Sequence, residues 1–448
     1  MNDDSTSGGS VVRNDLRRQL GLVDAVAIFV GIILGSGIFV APSAVARAAP
    51  GMFSAISIWI AAGLVAACGA FCYAECGARL PRTGGFYVFY REVYGDAVAF
   101  VGGWAALLIT YPASIAAIAD IFSRYLREVF PSLPEEGRPL AAGAVVLAGF
   151  LNALGVRSGA LAQRVLTTGK VVALATLCLA AVLAPGHAAE DRAPVDPFEM
   201  TTDFAALLVA LMVVLWTYDG WSDVTLVSGE LRRPGRNLGR AVVLGIVVLV
   251  VLYASIQLAV LTLLPPEQAA ESERVVSDAV QVGLGDGFGR FVALLIVVST
   301  MGSINGIVLT ASRLGYAMAR DGVFLRWFGR VDPRWETPAR SLGLLVVATL
   351  FYTATSSFDN LLTLFSFSVW IFYALTAIAL VILRRRGVGE PLEWRAPGGW
   401  LAPAVLLLVA AAMTSGLTLQ NPGTAIQGVA LLAAGFPIYF VWKRLVKH

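Results

Sequence analysis

Gly31-Ile32-Ile33-Leu34-Gly35-Ser36-Gly37-Ile38-Phe39 stands in the middle of an apolar run over residues 22–45. Three glycines and a serine at that depth make a poor sequence for an unbroken helix in hydrocarbon. There every freed N–H and C=O must find a partner, and each orphan costs several kcal/mol. A second run, over residues 204–228, carries Trp216-Thr217-Tyr218-Asp219-Gly220-Trp221-Ser222-Asp223 at similar depth, a carboxylate beside a glycine. Taken alone, Gly31 and Gly35 read as a helix-packing surface of the GxxxG kind. The matched interruption in the second run favours two discontinuous helices.

Outward from these two stretches the chain is apolar almost throughout. Of its 448 residues 57% are apolar and 14% charged, with a mean hydropathy of +0.75. A soluble chain would carry roughly 25% charge, so a soluble enzyme, a disordered protein and a disulfide-rich secreted domain are all excluded. Apolar runs fall near residues 22–45, 52–78, 97–123, 139–155, 160–184, 204–228, 240–264, 290–312, 341–356, 360–383, 400–418 and 424–442. A helix needs about 20 residues to span a bilayer, and the runs are continuous where barrel strands would alternate. The expected fold is an all-α membrane protein with 12 transmembrane helices.

The net charge is only +3, but its distribution orients the chain. Of the 33 lysines and arginines, seven (Arg47, Arg124, Arg127, Arg138, Arg192, Arg274 and Arg290) fall on one side, Lys170 lies inside a span, and the other 25 fall on the opposite side. By the positive-inside rule both termini are expected in the cytoplasm, in a plasma (cytoplasmic) membrane. The opposite loops are acidic, with Glu190, Asp191, Asp196 and Glu199 in one and Glu267, Glu271, Glu273 and Asp278 in another. The polar first 20 residues lead into a long span without a small-residue cleavage site, which reads as an anchor that stays attached.

The second interruption comes five helices after the first. Secondary transporters are often built from two inverted repeats whose first helices are both broken and meet at the midplane. The expected organisation is an arm at 1–20, five-helix repeats at 21–185 and 203–385, and two peripheral helices at 398–443. Freed N–H groups bind an anion and freed carbonyls a cation, and a zwitterionic amino acid offers both. Its carboxylate is expected on the N–H groups of Ser36 and Gly37 with the Ser36 hydroxyl as a further donor, its ammonium on the open carbonyls near Ile33 and Trp216, and Gly35 is counted with the substrate-binding residues. A Cβ on the glycines would hold the ligand off the backbone.

At these residues the chain resembles the amino acid-polyamine-organocation transporters, and within them the L-type amino acid transporter family. The matching motifs are Gly35-Ser36-Gly37-Ile38-Phe39, Cys72-Tyr73-Ala74-Glu75 with Pro81-Arg82-Thr83-Gly84-Gly85, and Tyr218-Asp219-Gly220-Trp221 leading to Glu230-Leu231. Ser299-Thr300-Met301-Gly302-Ser303-Ile304-Asn305-Gly306 with Ser312-Arg313 also fits, and the similarity covers roughly residues 13–385. The resemblance implies the five-plus-five inverted-repeat (LeuT-like) fold and amino-acid transport by alternating access. It implies substrate binding by the glycine-serine-glycine turn, and an aromatic gate at Trp216. Tyr218, Asp219 and Gly220 are counted with that site, and Asn305 as a further lining residue of the eighth span.

Three residues carry the mechanism. Asp219 stands where many relatives that carry neutral amino acids have glycine or serine. It reads either as the N-cap of the second half of its helix, bonding Trp221 or Ser222, or as a carboxylate that draws cationic substrates. Lys170 would cost roughly 2.5–3.5 kcal/mol at mid-membrane, so it snorkels to the surface or faces partners. The resemblance implies the second, with its ammonium in the space of a sodium ion between the first and eighth helices, and hence sodium-independent transport. Trp216 is either a buried aromatic or a lid over the substrate. Glu75, Glu230 and Arg313 read as structural ion pairs at helix ends.

The expected activity is a secondary transporter of L-amino acids, an exchanger accepting neutral and cationic substrates. The alternatives are a proton-coupled symporter and an amino-acid-binding membrane sensor. No H-E-x-x-H, G-x-S-x-G or nucleotide-binding loop is found, so neither an intramembrane enzyme nor a cofactor is expected. Cys68, Cys72 and Cys76 share a helix face without a histidine to complete a metal site, and small residues at that spacing let helices pack closely. Basic clusters such as Arg384-Arg385-Arg386 suit lipid headgroups and not nucleic acid. No cysteine lies between the third and fourth helices, where the resemblance would place a link to a glycoprotein, so no obligatory partner chain is expected.

Overall fold

The computed structural model describes residues 16–183, 195–285, 288–356, 358–389, 391–420 and 422–446. Arg13, Glu190, Asp191, Arg192, Lys447 and His448 therefore lie outside the described residues. The chain is all-helical there, with an isolated bridge between Leu20 and Leu231 as its only β contact.

The first run is two helices, α1 (Leu22–Ile33) and α2 (Ala41–Ala48), joined by a 3₁₀ turn at Gly37–Phe39. The Asp24 carboxylate caps α1 by accepting the Gly21 N–H at 2.8 Å and pairs with Arg164 at 3.0 Å. The second run is α3 (Met52–Arg79), followed by α4 (Phe86–Tyr94). The third is α5 (Asp96–Ala105) and α6 (Tyr111–Val129), joined by a π-helical turn at Ala106–Thr110. Pro112 explains that turn, because proline has no N–H and its ring crowds the carbonyl four residues back, so the helix widens to pass it. Next come α7 (Gly137–Ala153), α8 (Val156–Leu183) and α9 (Phe204–Thr217).

The sixth run breaks after α9 and resumes as a 3₁₀ helix at Asp223–Glu230, where the sequence suggested an α-helix. Beyond it lie α10 (Pro234–Leu263), α11 (Pro266–Glu271), α12 (Val275–Leu284), α13 (Gly289–Arg320), α14 (Ala339–Thr355), α15 (Phe358–Arg385), α16 (Leu401–Gln420) and α17 (Pro422–Val446). Helix occupies each of the twelve apolar runs. Met52–Arg79, Asp96–Val129, Pro234–Leu263 and Gly289–Arg320 are long and apolar enough to cross a membrane by themselves.

Polarity is turned inside out. Along α8, Leu161, Val165, Val172 and Leu179 are all more than half exposed, while Gln163, Thr167 and Lys170 at helical spacing on the opposite face are buried. Such a face would be insoluble in water and suits lipid. α13 is the central post: 89% of its apolar window is buried, against 50% for α3 and α10, as expected of a helix surrounded by others.

Candidate functional site

Both interruptions fall within the stretches read as broken, and they face each other. A cavity of about 90 Å³ lies between them, with Ile32, Ile33, Gly35, Ser36 and Gly37 on one side and Trp216, Thr217, Asp219 and Gly220 on the other. The remaining wall comes from Ser222 and Asp223, from α3, α4 and the π-helical turn, and from α6, α13 and α15, and includes Tyr73, Tyr111, Ile307 and Tyr373.

The glycines also answer a packing need between the two broken helices. A Cβ on Gly37 would lie 2.8 Å from Thr217 Oγ1 and 3.1 Å from Thr217 Cα, and one on Gly220 would lie 2.8 Å from an Ile32 methyl. Gly220 also has φ +113°, a region L side chains rarely adopt. These glycines let the two broken helices touch each other, whereas a Cβ on Gly35 would make ordinary contacts.

Anion-binding groups are present at the first break. The N–H groups of Ser36 and Gly37 make no hydrogen bond among the described residues, and neither does the Ser36 hydroxyl, although Ser36 is only 4% exposed. Helix starts leave such donors unfilled, and they favour negative charge.

Of the carbonyls assigned to the ammonium, that of Ile33 already has two donors, which corrects the sequence reading there, while that of Trp216 has one and keeps a lone pair. Ile33 C=O accepts the Gly35 N–H at 2.7 Å and the Tyr253 hydroxyl at 3.1 Å. That phenol is shared with Thr217 C=O at 3.2 Å, so Tyr253 of α10 ties together the ends of α1 and α9. Trp216 C=O accepts the Asp219 N–H at 3.0 Å. The other freed carbonyls of the first break turn to Lys170. Its ammonium donates to Gly31 C=O at 2.6 Å, Leu34 C=O at 2.6 Å and Ser299 C=O at 3.1 Å, and it is fully buried between α1, α8 and α13. The snorkelling alternative is thereby excluded.

Negative charge in the cavity comes from side chains. Asp219 accepts the Tyr373 hydroxyl and does not cap the following helix, whose N-cap is Ser222. Asp223, four residues on, accepts the Tyr111 hydroxyl at 2.9 Å and the Ser222 hydroxyl at 3.0 Å. Tyr111 follows the π-helical turn directly, in keeping with the frequency of such turns at functional sites. Sequence reasoning passed over Asp223, Tyr111, Tyr253 and Tyr373; a second acid four residues after Asp219 in the same apolar run was the available signal.

Two candidates stand elsewhere. Tyr218 turns away from the cavity: its hydroxyl bonds Trp59 C=O at 3.2 Å, and its ring packs on Trp59 and Tyr253. Asn305 faces α7 and α8, bonding Asn152 and Gln163 at 2.9 Å each, so Ile307 is the α13 residue on the cavity. The helix-end charges pair as expected. Glu75 takes Arg79 and Arg384, and Glu230 takes Arg313 at 2.8 Å.

A bundle with lipid-suited outer faces and a central cavity between two broken helices defines a membrane transport protein. The model of the amino acid permease family matches residues 20–441. The b(0,+)-type amino acid transporter 1 of Mus musculus is 30% identical, over 98% of this chain and 90% of its own length. That of Homo sapiens is 31% identical, over 84% of this chain and 79% of its own. The large neutral amino acids transporter small subunit 2 of Oryctolagus cuniculus is 31% identical, over 99% and 84%. The chain belongs to the amino acid permease family, and is thus an integral membrane transporter and not an enzyme.

Proposed function

We propose that the protein is a sodium-independent exchanger of L-amino acids, cationic as well as neutral, working by alternating access. The observation that carries this is the pairing, in one cavity, of the free N–H groups of Ser36 and Gly37 with the Asp219 carboxylate. The substrate carboxylate sits on the N–H groups. Its α-ammonium, denied the carbonyls that Tyr253 occupies, turns to Asp219. Lys170 supplies the positive charge that a sodium ion would otherwise bring to the carbonyls of Gly31, Leu34 and Ser299. The names of the b(0,+)-type and large neutral amino acid relatives favour a broad substrate range.

The architecture in this reading is twelve spans, with five-helix repeats at 21–185 and 203–385 in inverted relation and two further helices at 398–443. Supporting it, corresponding helices pack on each other: α3 on α10, α6 on α13, α7 on α14, and the first break on the sixth span. Both termini lie in the cytoplasm. The chain works as a single polypeptide. One relative is named a small subunit, but the four cysteines here all lie within α3 and α8 and none between α6 and α7.

Reconstituted uptake tests the proposal. Arginine, leucine and alanine should enter proteoliposomes equally well in sodium and in choline, and faster when the vesicles are preloaded with amino acid. Loss of uptake in choline would overturn sodium independence. Uptake indifferent to preloading but raised by an inward proton gradient would favour proton symport. That second reading has one observation behind it: the Lys170 ammonium meets only carbonyl and hydroxyl oxygens among the described residues, with no fixed counter-charge. Trp216, in the last turn of α9, acts as the lid, because covering the substrate excludes water and strengthens the polar contacts beneath. Trp216→Ala should slow exchange about tenfold while shifting equilibrium binding less, since the lid acts on closure; equal losses in both would refute gating.

A further inference from the structure

Asp223 is 4% exposed, and one oxygen is held by Tyr111 and Ser222 while the other makes no hydrogen bond among the described residues. It lies on the same cavity as Asp219, whose described lining contains no lysine, arginine or histidine. A carboxylate withdrawn from water is costly unless a cation meets it, and two on one small cavity more so. The charges can be counted. The N–H groups of Ser36 and Gly37 accept one anionic group, and Asp219 and Asp223 accept two cationic ones. A neutral amino acid brings one carboxylate and one ammonium, leaving Asp223 unmatched. A dibasic amino acid satisfies all three.

Position decides which acid meets which end. Gly220 abuts Ile32, so neighbouring Asp219 stands beside the turn that takes the substrate carboxylate. Asp223 is set off toward α6, where Tyr111 fixes its carboxylate and the apolar side chains of Ile118, Ile121 and Val369 complete the wall. The geometry points to Asp223 as the subsite for a cationic group at the far end of the substrate side chain. Its methylene stem lies along the apolar wall, as long charged side chains do elsewhere. This deepens the proposed function and rests on it. It adds that preference depends on side-chain length and on charge at its tip, and that Tyr111 is a positioning residue.

Competition against labelled arginine uptake in proteoliposomes tests it, with lysine, 2,3-diaminopropionate, citrulline, leucine and unlabelled arginine as competitors. For the unsubstituted chain, arginine should outcompete citrulline, its uncharged isostere, and lysine should outcompete the shorter diaminopropionate, each by about tenfold, the scale of one charge-assisted hydrogen bond. Asp223→Asn should bring arginine to parity with citrulline and lysine to parity with diaminopropionate. Tyr111→Phe should move the same ratios part of the way. Citrulline equal to arginine in the unsubstituted chain would overturn the inference without need of any variant. So would an Asp223→Asn chain that loses arginine and leucine in equal proportion, or that keeps the arginine preference. Failure of the unsubstituted chain to take up any amino acid would instead sink the proposed function beneath it.

Discussion

Lys170→Ala is expected to abolish uptake in choline, with at least a hundredfold loss of rate. The ammonium is the common partner of three carbonyls from two helices, Gly31 and Leu34 at the first break and Ser299 on α13. Removing it leaves an oxygen-lined hole in which Leu34 C=O keeps the Ser299 hydroxyl at 3.0 Å and Gly31 C=O the Ser303 hydroxyl at 3.2 Å, and each charge-assisted hydrogen bond lost is worth about 1.5–3 kcal/mol. Most of that cost falls on the state in which α1 is seated against α13, and a transporter that cannot seat α1 cannot complete its cycle. A cage of oxygens is also the kind of site that hard cations occupy. External sodium should therefore restore part of the lost uptake in this variant, while having no effect on the unsubstituted chain. Full activity of Lys170→Ala in choline would remove Lys170 from the mechanism. Inactivity in both salts, with the fold intact, would leave the fixed charge essential and discard the notion that it stands in for sodium.

Glu75→Ala should be the most damaging substitution for stability. One carboxylate oxygen takes the Nε of Arg79 at 3.1 Å, its Nη2 at 2.9 Å and the Nε of Arg384 at 3.0 Å. The other takes Arg384 Nη2 at 2.6 Å and the N–H of Ala396 at 2.8 Å. A single side chain thus pins α3, the end of α15 and the segment leading to α16. Its removal takes the counter-charge from one almost fully buried and one largely buried guanidinium, leaving Arg79 with Val388 C=O and Arg384 with Gly399 C=O. Breaking a buried pair from one side costs about 3–5 kcal/mol, whereas replacing both partners by well-packed apolar ones is often neutral. The variant should aggregate during purification or melt well below the unsubstituted chain in detergent. An unchanged melting temperature would mean that water reaches these arginines.

How much of this could be read beforehand depended on how unusual a residue is in an apolar run. Gly35-Ser36-Gly37 and Asp219-Gly220 stand out in such runs, and Lys170 is the one lysine within a span, so the breaks and the buried cation were legible. Glu75, Glu230 and Arg313 were legible for the same reason. Tyrosines are not conspicuous in membrane helices, so nothing marked Tyr253, Tyr111 and Tyr373 as the hydroxyls that fill the freed carbonyls and orient the two acids. Rotation about a helix axis was also hidden. Tyr218 and Asn305 sit at the expected depth but face Trp59 and Gln163. Nor could composition distinguish the 3₁₀ course of Asp223–Glu230 from an α-helix, and that course moves the cap from Asp219 to Ser222.

The mutual contact of Gly37 with Thr217 and of Gly220 with Ile32 meshes the two interrupted rods like teeth of paired gears. Neither rod can tilt toward its neighbour without displacing it. A methyl group added at either tooth would act as a wedge, prising the rods apart from this seam outward.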